Sequence, residues 1–455
     1  MSHITLEQAA QWCGGRVDPK FHNVTFLGAN NDTRRLEPGQ LFVALEGVRD
    51  GHDFIDAAFE KGAAAVLCKH CDEKYPAILV EDPRIALGQI AAGERQRLGM
   101  RVVAVTGSVG KSTTKEMIAA VLGGDYIVSK TPANFNNDLG MPMSVLAMDG
   151  TTEVAVLEMG MSHFGEIAYL SNIAKPDVAV IINVGVMHME NLGSREGVLQ
   201  AKLEILEGVA PDGKVFFCGD NDMLRSCDPG REVTYFGTDA SVCTVVGSRV
   251  QEEDGVLSFA VEAEGQCFDI RLPLEGQHYV CDALAAVAVG LSMGVCPEDI
   301  ALRLSVFRNM AGRQEIFAAK GCTIIKDCYN AGPESMAAAL SVLGKRSGQR
   351  IAVLGDMLEL GSQTLDAHVQ TGRLAAKHAD YLLSYGPNAA HMVQAAKEAG
   401  MAPEKAVVYE DRADMAKALL ALAEPGATLL FKGSHGMHME LVLERFLKED
   451  TDTEE

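Results

Sequence analysis

The sequence predicts an α/β chain of three domains: a small N-terminal α/β domain, a central domain with a phosphate-binding loop and a mostly parallel sheet, and a C-terminal Rossmann-like domain. Three observations support this. At 455 residues the chain is too long for one compact core. Apolar strand-like runs alternate with helical stretches in two separate blocks, the pattern of parallel sheets covered on both faces. At the start of the first block, Thr106-Gly107-Ser108-Val109-Gly110-Lys111-Ser112-Thr113 links a strand to a helix.

The elements are read in chain order, with domain limits of 1–82, 83–311 and 312–455. The first region mixes short strands, at Leu41 to Leu45 and Ala64 to Cys68, with turn clusters at 36–40 and 49–52. A helix at Arg84 to Leu98 leads into strands at Val102 to Val105, Val154 to Leu157, Val178 to Asn183 and Lys214 to Cys218. Between Val233 and Leu274 the pattern changes to short alternating strands with Gly- and Glu-rich turns, predicting antiparallel hairpins in the same domain, followed by a buried helix at Ala283 to Met293. After Gly312-Arg313, strands at Thr323 to Lys326, Ile351 to Leu354, Tyr381 to Ser384, Ala406 to Tyr409 and Thr428 to Phe431 predict a smaller doubly wound domain.

Composition narrows the function classes. A share of 47% hydrophobic and 22% charged residues suits a folded enzyme, and a net charge of −22 disfavours nucleic-acid backbones and anionic membranes as partners. The N-terminus has no secretion-signal pattern, and no apolar stretch is long enough to span a bilayer. No stable membrane association, a cytoplasmic location and a monomer are therefore expected. Eleven scattered cysteines suggest reduced, packed thiols rather than a disulfide framework, and Cys68-Lys69-His70-Cys71 lacks the second pair that a structural zinc needs. The acidic end from Lys448 to Glu455 reads as a solvated tail.

The phosphate loop is the sharpest chemical signal. Its glycines let backbone N–H groups approach phosphate oxygens, Lys111 can reach the outer phosphates and Ser112 can offer a hydroxyl to Mg²⁺. Val105 stands where a strict loop has glycine, so this is the shorter TGxxGK[ST] form. Glu158, at a carboxyl end of the sheet, is placed to hold Mg²⁺ or to be a solvated strand-end residue. His188 offers a ligand or a structural loop histidine.

Lys202 would sit on a helix among Val198, Leu199, Ile205 and Leu206, with no carboxylate at a salt-bridging position. Its amine either reaches out to water along the apolar face or is buried and neutral, in which case it can take up CO₂ as a carbamate and ligate a second Mg²⁺. The segment Thr131 to Pro142, with Asn134 and Asn137, is dense in amides, as generic loops also are. Asp327 to Pro333 and Lys432-Gly433-Ser434 follow strands of the third domain and are either cleft-facing or simple turns.

Taken together these residues resemble the Mur ligase family, ATP-dependent ligases that build the UDP-linked peptidoglycan precursor. The pointers are Leu157-Glu158-Met159-Gly160 with Gly165-Glu166-Ile167, the Asn134 to Pro142 segment, Asp327 to Pro333, and Val353 to Gly361. They are closest to the branch that joins D-alanyl-D-alanine to a UDP-N-acetylmuramoyl-tripeptide through an acyl phosphate. The resemblance implies that Thr33, Arg34, Asp50 and His52 in the first domain hold the UDP-sugar. It implies that residues 106–113 with Asp282, Arg313, Asp327 and Asn330 hold ATP. It further implies that Ser112, Glu158, His188 and a carbamylated Lys202 position Mg²⁺, and that Asn134, Asn137, Lys432 and Ser434 serve the other substrates. Asp282 stands where the family usually has asparagine, Thr33 where it has serine, Gly332 asparagine and His435 arginine. A ligase that adds a single amino acid, and a non-ligase regulatory ATPase, are the competing readings.

Overall fold

Four short apolar runs build the first sheet of the computed structural model, which describes residues 3–448; the acidic tail after Lys448 lies outside the described residues. The strands Ala29–Asn30, Leu41–Val43, Ala65–Cys68 and Ala77–Leu79 pair side by side in parallel. Alternation along them divides the apolar residues. Leu41, Val43, Ala65 and Leu67 face one cluster, and Phe42, Ala44, Val66 and Cys68 face another.

The helix Pro83–Leu98 joins this sheet to the next. Asp82 caps it by accepting from the Arg84 and Ile85 N–H groups, Pro83 occupies the first turn, and Gly99 ends it in the left-handed conformation. Its Ala86, Leu87, Ile90 and Ala91 belong to the same apolar cluster as Leu41 and as Val102 to Val105 of the central sheet. The helix is thus shared packing between two sheets.

The central sheet runs, from one edge, Val128–Lys130, Val154–Glu158, Arg101–Thr106, Val178–Ile181, Lys214–Cys218, Thr234–Gly237, Val245–Glu253, Val256–Ala263 and Gln266–Leu272. The first seven are joined in parallel, and each of the last two is joined antiparallel to the strand before it. Central strands buried on both faces require continuous apolar sequence, which Val102 to Val105 and Val154 to Leu157 supply. The expected hairpins are present on the same sheet. Asp254-Gly255 and Glu264-Gly265 turn them, with positive φ at both positions of each pair, as twisted two-residue turns require.

In the C-terminal domain, Glu315–Ala319, Cys322–Asp327, Thr428–Lys432, Arg350–Gly355, Tyr381–Tyr385 and Ala406–Tyr409 form a six-stranded sheet that is parallel except for its first strand. Ile325, Ala352, Leu354 and Leu430 pack on one face, and Ile324, Ile351, Val353 and Leu429 on the other. Among the described residues no helix is long and apolar enough to cross a membrane. Carboxyl ends of the central and C-terminal parallel strands meet across a cleft.

Candidate active site

A cavity of about 700 Å³ fills that cleft, lined from the central sheet by residues of the phosphate loop, Glu158 and Asn183, and from the C-terminal sheet by Asp327, Asn330 and Lys432. The phosphate-loop helix begins at Lys111 itself and runs to Leu122. Gly110 precedes it at φ +84°, where an added Cβ would lie 2.6 Å from Asp282 Oδ1. Conformation and space both demand glycine here.

Asn183 shapes the loop from the neighbouring strand end. Its Oδ1 accepts from the Ser108 and Val109 N–H groups at 2.9 Å each, and its Nδ2 donates to Val109 O at 2.9 Å. Sequence reading passed over it as a strand terminus. Asn183→Ala should raise the ATP KM roughly tenfold with little change in fold, because loop amides lose the acceptor that aims them and about 1.4 kcal/mol corresponds to a factor of ten; steady-state kinetics at varied ATP check this.

Lys111 Nζ bonds back to Gly107 O at 2.9 Å and Ser108 O at 3.2 Å. Burial lowers its pKa, Glu158 opposes this and Arg313 adds to it. Ser112 Oγ donates to Glu158 Oε2 at 2.7 Å, and Asn136 Nδ2 to Glu158 Oε1 at 2.7 Å. Glu158 is the last residue of its strand, not the residue after it, and is buried rather than solvated. Within the amide-rich segment, Asn136 is the residue that holds Glu158, while Asn134 and Asn137 line the cavity. Asn136 lies between the two expected residues, and spacing along the loop does not show which asparagine faces Glu158.

Arg313 crosses from the C-terminal side to donate through Nη2 to Ser112 Oγ at 2.8 Å, and its guanidinium stacks 3.9 Å from the Tyr329 ring centroid. Its Nε is buried without a hydrogen-bond partner. Asp327 Oδ1 accepts from the Gln314 N–H at 3.2 Å, while Lys432 Nζ donates to Asp327 Oδ2 at 2.5 Å and to Asn330 O at 3.1 Å. Ser434 lies behind this pair, buried, donating to Ala331 O at 3.3 Å.

His188 enters the cavity wall at φ +63°, with Nδ1 2.9 Å from Glu359 Oε2 of the C-terminal domain. Burial, then Lys111 and Lys202, push its pKa down to about 4, so the imidazole is neutral and has a lone pair to offer. Lys202 is 2% exposed in the last turn of the helix Arg195–Leu203. A 3₁₀ turn, Glu204–Glu207, follows, so Ile205 and Leu206 are not its helical neighbours. Among the described residues no carboxylate lies within ion-pair distance of it. Burial and then Lys111 push its pKa well down, and at 2% exposure the amine does not reach out to water.

Asp282 closes the far side, accepting from Thr114 Oγ1 at 3.0 Å, and burial raises its pKa from 3.8 to about 7. The native state keeps this proton up to about pH 7, whereas the unfolded chain releases it near pH 4. Stability therefore falls as pH rises through that window and stays lowered above it. A rise from 3.8 to about 7 converts to about 4 kcal/mol. Asp282→Asn, which keeps the acceptor, should be more stable than wild type by up to that amount at pH 8 and equal to it below pH 4; urea midpoints across pH check this.

Thr33, Arg34, Asp50 and His52 stand apart from the cavity, on the first domain. Arg34 is exposed and pairs with Asp32 at 2.7 Å. His52 is tied on both sides, Nδ1 to Asp50 Oδ1 at 2.6 Å and Nε2 accepting from the Lys69 N–H at 3.1 Å.

Family models match the chain in three stretches: Mur ligase family, catalytic domain, over residues 23–95; Mur ligase middle domain over 105–290; and Mur ligase, glutamate ligase domain over 312–435. The UDP-N-acetylmuramoyl-tripeptide–D-alanyl-D-alanine ligase of Bacillus subtilis (strain 168) is 40% identical over 98% of both chains. Its namesake in Escherichia coli (strain K12) is 36% identical over 99% of both. Among solved structures, MurF from Acinetobacter baumannii superposes with a TM-score of 0.90 at 30% identity, covering 98% of this chain and 99% of that one. MurF ligase from Thermotoga maritima in complex with ADP gives 0.82 at 31%, covering 93% and 97%.

Proposed function

The chain belongs to the Mur ligase family, and we infer that its cavity joins D-alanyl-D-alanine to UDP-N-acetylmuramoyl-tripeptide with ATP and Mg²⁺. The observation that carries this reading is the Arg313 to Ser112 hydrogen bond. It brings a cation of the C-terminal domain onto the phosphate loop of the central domain, the contact needed to enclose a triphosphate between them.

The residues suit both groups. Lys111, Arg313 and the loop amides converge on one cavity, and the buried Arg313 Nε lacks a partner that a phosphate oxygen would supply. Ser112, Glu158 and His188, with Lys202 as a carbamate, are the residues that would hold Mg²⁺, which when bound offsets charge on the phosphate oxygens. The neutral, buried Lys202 amine is the form that reacts with CO₂.

In the reaction, the C-terminal carboxylate of the tripeptide attacks the γ-phosphorus of ATP, the bond to ADP breaks, and an acyl phosphate forms. The dipeptide amine then attacks the acyl carbon. Phosphate leaves and the amine proton passes to solvent. Lys111 and the loop N–H groups neutralise the transferring phosphoryl, and Arg313 adds charge from the opposite side. Asp327 and Lys432 fix each other at the C-terminal wall, the side assigned to the dipeptide, with Ser434 behind them. Closure of the two domains excludes water that would hydrolyse the acyl phosphate.

Thr33, Arg34, Asp50 and His52 are assigned to the UDP-sugar, with Asn134 and Asn137 nearer the reacting end. The reading divides the chain at 1–82, 83–311 and 312–455 along the same lines. A cytoplasmic location, where ATP and UDP-sugars are made, and action as a monomer complete the reading. Phosphate release with ATP and Mg²⁺ tests the reading. Release should require the UDP-tripeptide and the dipeptide together. Release indifferent to both would overturn it in favour of a regulatory ATPase, and release supported by a single amino acid would favour an earlier-step ligase.

A further inference from the structure

Behind the nucleotide cavity, three side chains that the ligase reaction does not use converge. Cys218 ends the strand Lys214–Cys218, Asp220 follows two residues later, and Cys281 lies in the first turn of the helix Tyr279–Ser292, next to Asp282. Their two Sγ atoms and a carboxylate oxygen all lie within 4.8 Å of one another, and Cys281 Sγ is 3.5 Å from Asp220 Oδ2. Around a tetrahedral Zn²⁺, bond lengths of about 2.3 Å to sulfur and about 2.1 Å to oxygen place S and O about 3.6 Å apart and two sulfurs about 3.8 Å apart. The cluster is close to that spacing.

Its surroundings are those of a ligand set. Asp220 is held in place by the Thr238 N–H at 2.8 Å and the Asp239 N–H at 3.1 Å to Oδ1, and by Thr238 Oγ1 at 2.9 Å to Oδ2. Cys218 is buried while Asp220 is exposed, which leaves an entry path. A third sulfur is near: an added Cβ on Gly237 would meet Asp220 Oδ1 at 2.6 Å and Cys243 Sγ at 3.0 Å.

We propose that Cys218, Asp220 and Cys281 form a binding site for a thiophilic divalent cation of the Zn²⁺ class, separate from the Mg²⁺ centre. Two thiolates and one carboxylate select a soft or borderline ion over Mg²⁺, which takes oxygen ligands. Binding forms two metal–sulfur bonds and one metal–oxygen bond and releases the thiol protons to solvent, so affinity rises with pH. An ion here ties the strand end to the start of the helix that carries Asp282.

Co²⁺ is the probe, titrated into the full-length protein after chelator washing, with a phosphine reductant. The expected result is one equivalent bound with thiolate-to-metal charge-transfer absorption, displaced by Zn²⁺ but not by millimolar Mg²⁺. Cys218→Ser and Cys281→Ser should abolish the band, Asp220→Asn should weaken binding at least tenfold, and Cys267→Ser, an exposed control, should change nothing. ADP binding by each variant verifies its fold, and the surface variant Asp220→Asn carries the test should a cysteine variant misfold. Absence of the band in folded wild type, or a band unchanged in Cys218→Ser or Asp220→Asn, overturns the proposal. So does a Cys218–Cys281 disulfide formed in air by protein that binds no Co²⁺ when reduced, which would mark a redox pair.

Discussion

Lys111→Met is expected to lower kcat by about a thousandfold or more while leaving the protein folded. The expectation follows from what the ammonium does in each state. Here it is half-buried and bonded to carbonyls of its own loop, at Gly107 and Ser108. Such burial gives the folded protein little, so a methionine of similar length should leave the thermal midpoint unchanged or raised. In the transition state the same charge meets the transferring phosphoryl, where losing one preorganised donor costs about 10²–10³ and losing a full charge more. Single-turnover ADP formation gives the chemical step directly. A rate within tenfold of wild type, from a protein that binds ATP, would remove Lys111 from the mechanism.

Lys202→Ala is the second large effect, expected to lower kcat by about 10²–10³. Lys202 has neither a carboxylate partner among the described residues nor access to water, so a charged amine has no stabilising contact and a neutral amine has no evident structural purpose. As a carbamate it becomes a long carboxylate close to His188, whose imidazole already feels the Lys202 charge. Formate or acetate supplied to the alanine variant should then restore part of the activity, and bicarbonate depletion should slow the wild-type enzyme. Full activity in Lys202→Ala, with no response to small carboxylates, would eliminate the carbamate.

Much of this site is legible in sequence because its chemistry is carried by local patterns. The phosphate loop is contiguous, so Lys111 and Ser112 are fixed by their neighbours, and strand periodicity brings Glu158 and Asp327 to carboxyl ends without any knowledge of pairing. Asn183 is different. Its role comes from the strand Val178–Ile181 lying directly beside Arg101–Thr106, which lets one side chain grip a loop some 75 residues away in sequence. Asn136 likewise meets Glu158 only through tertiary packing. The burial of Lys202 was open for a related reason: an apolar helix face allows either burial or escape to water, and only the elements packed on it decide. The strand Val245–Glu253 falls inside the predicted hairpin region, but its limits were not fixed because Ser248, Arg249 and Gln251 interrupt its apolar pattern, on a stretch where the register against Val256–Ala263 shifts. The helix shared between the first two sheets was visible, but not its double contact.

The account rests on a carboxylate oxygen passing to phosphorus before the peptide bond forms. The direct measurement uses UDP-N-acetylmuramoyl-tripeptide labelled with ¹⁸O in its C-terminal carboxylate, with ATP, Mg²⁺ and D-alanyl-D-alanine, and mass analysis of both products. Cleavage of the acyl C–O bond predicts one ¹⁸O in each inorganic phosphate and one in the new peptide carbonyl of the UDP-pentapeptide. Unlabelled phosphate, or phosphate released without pentapeptide, would contradict it.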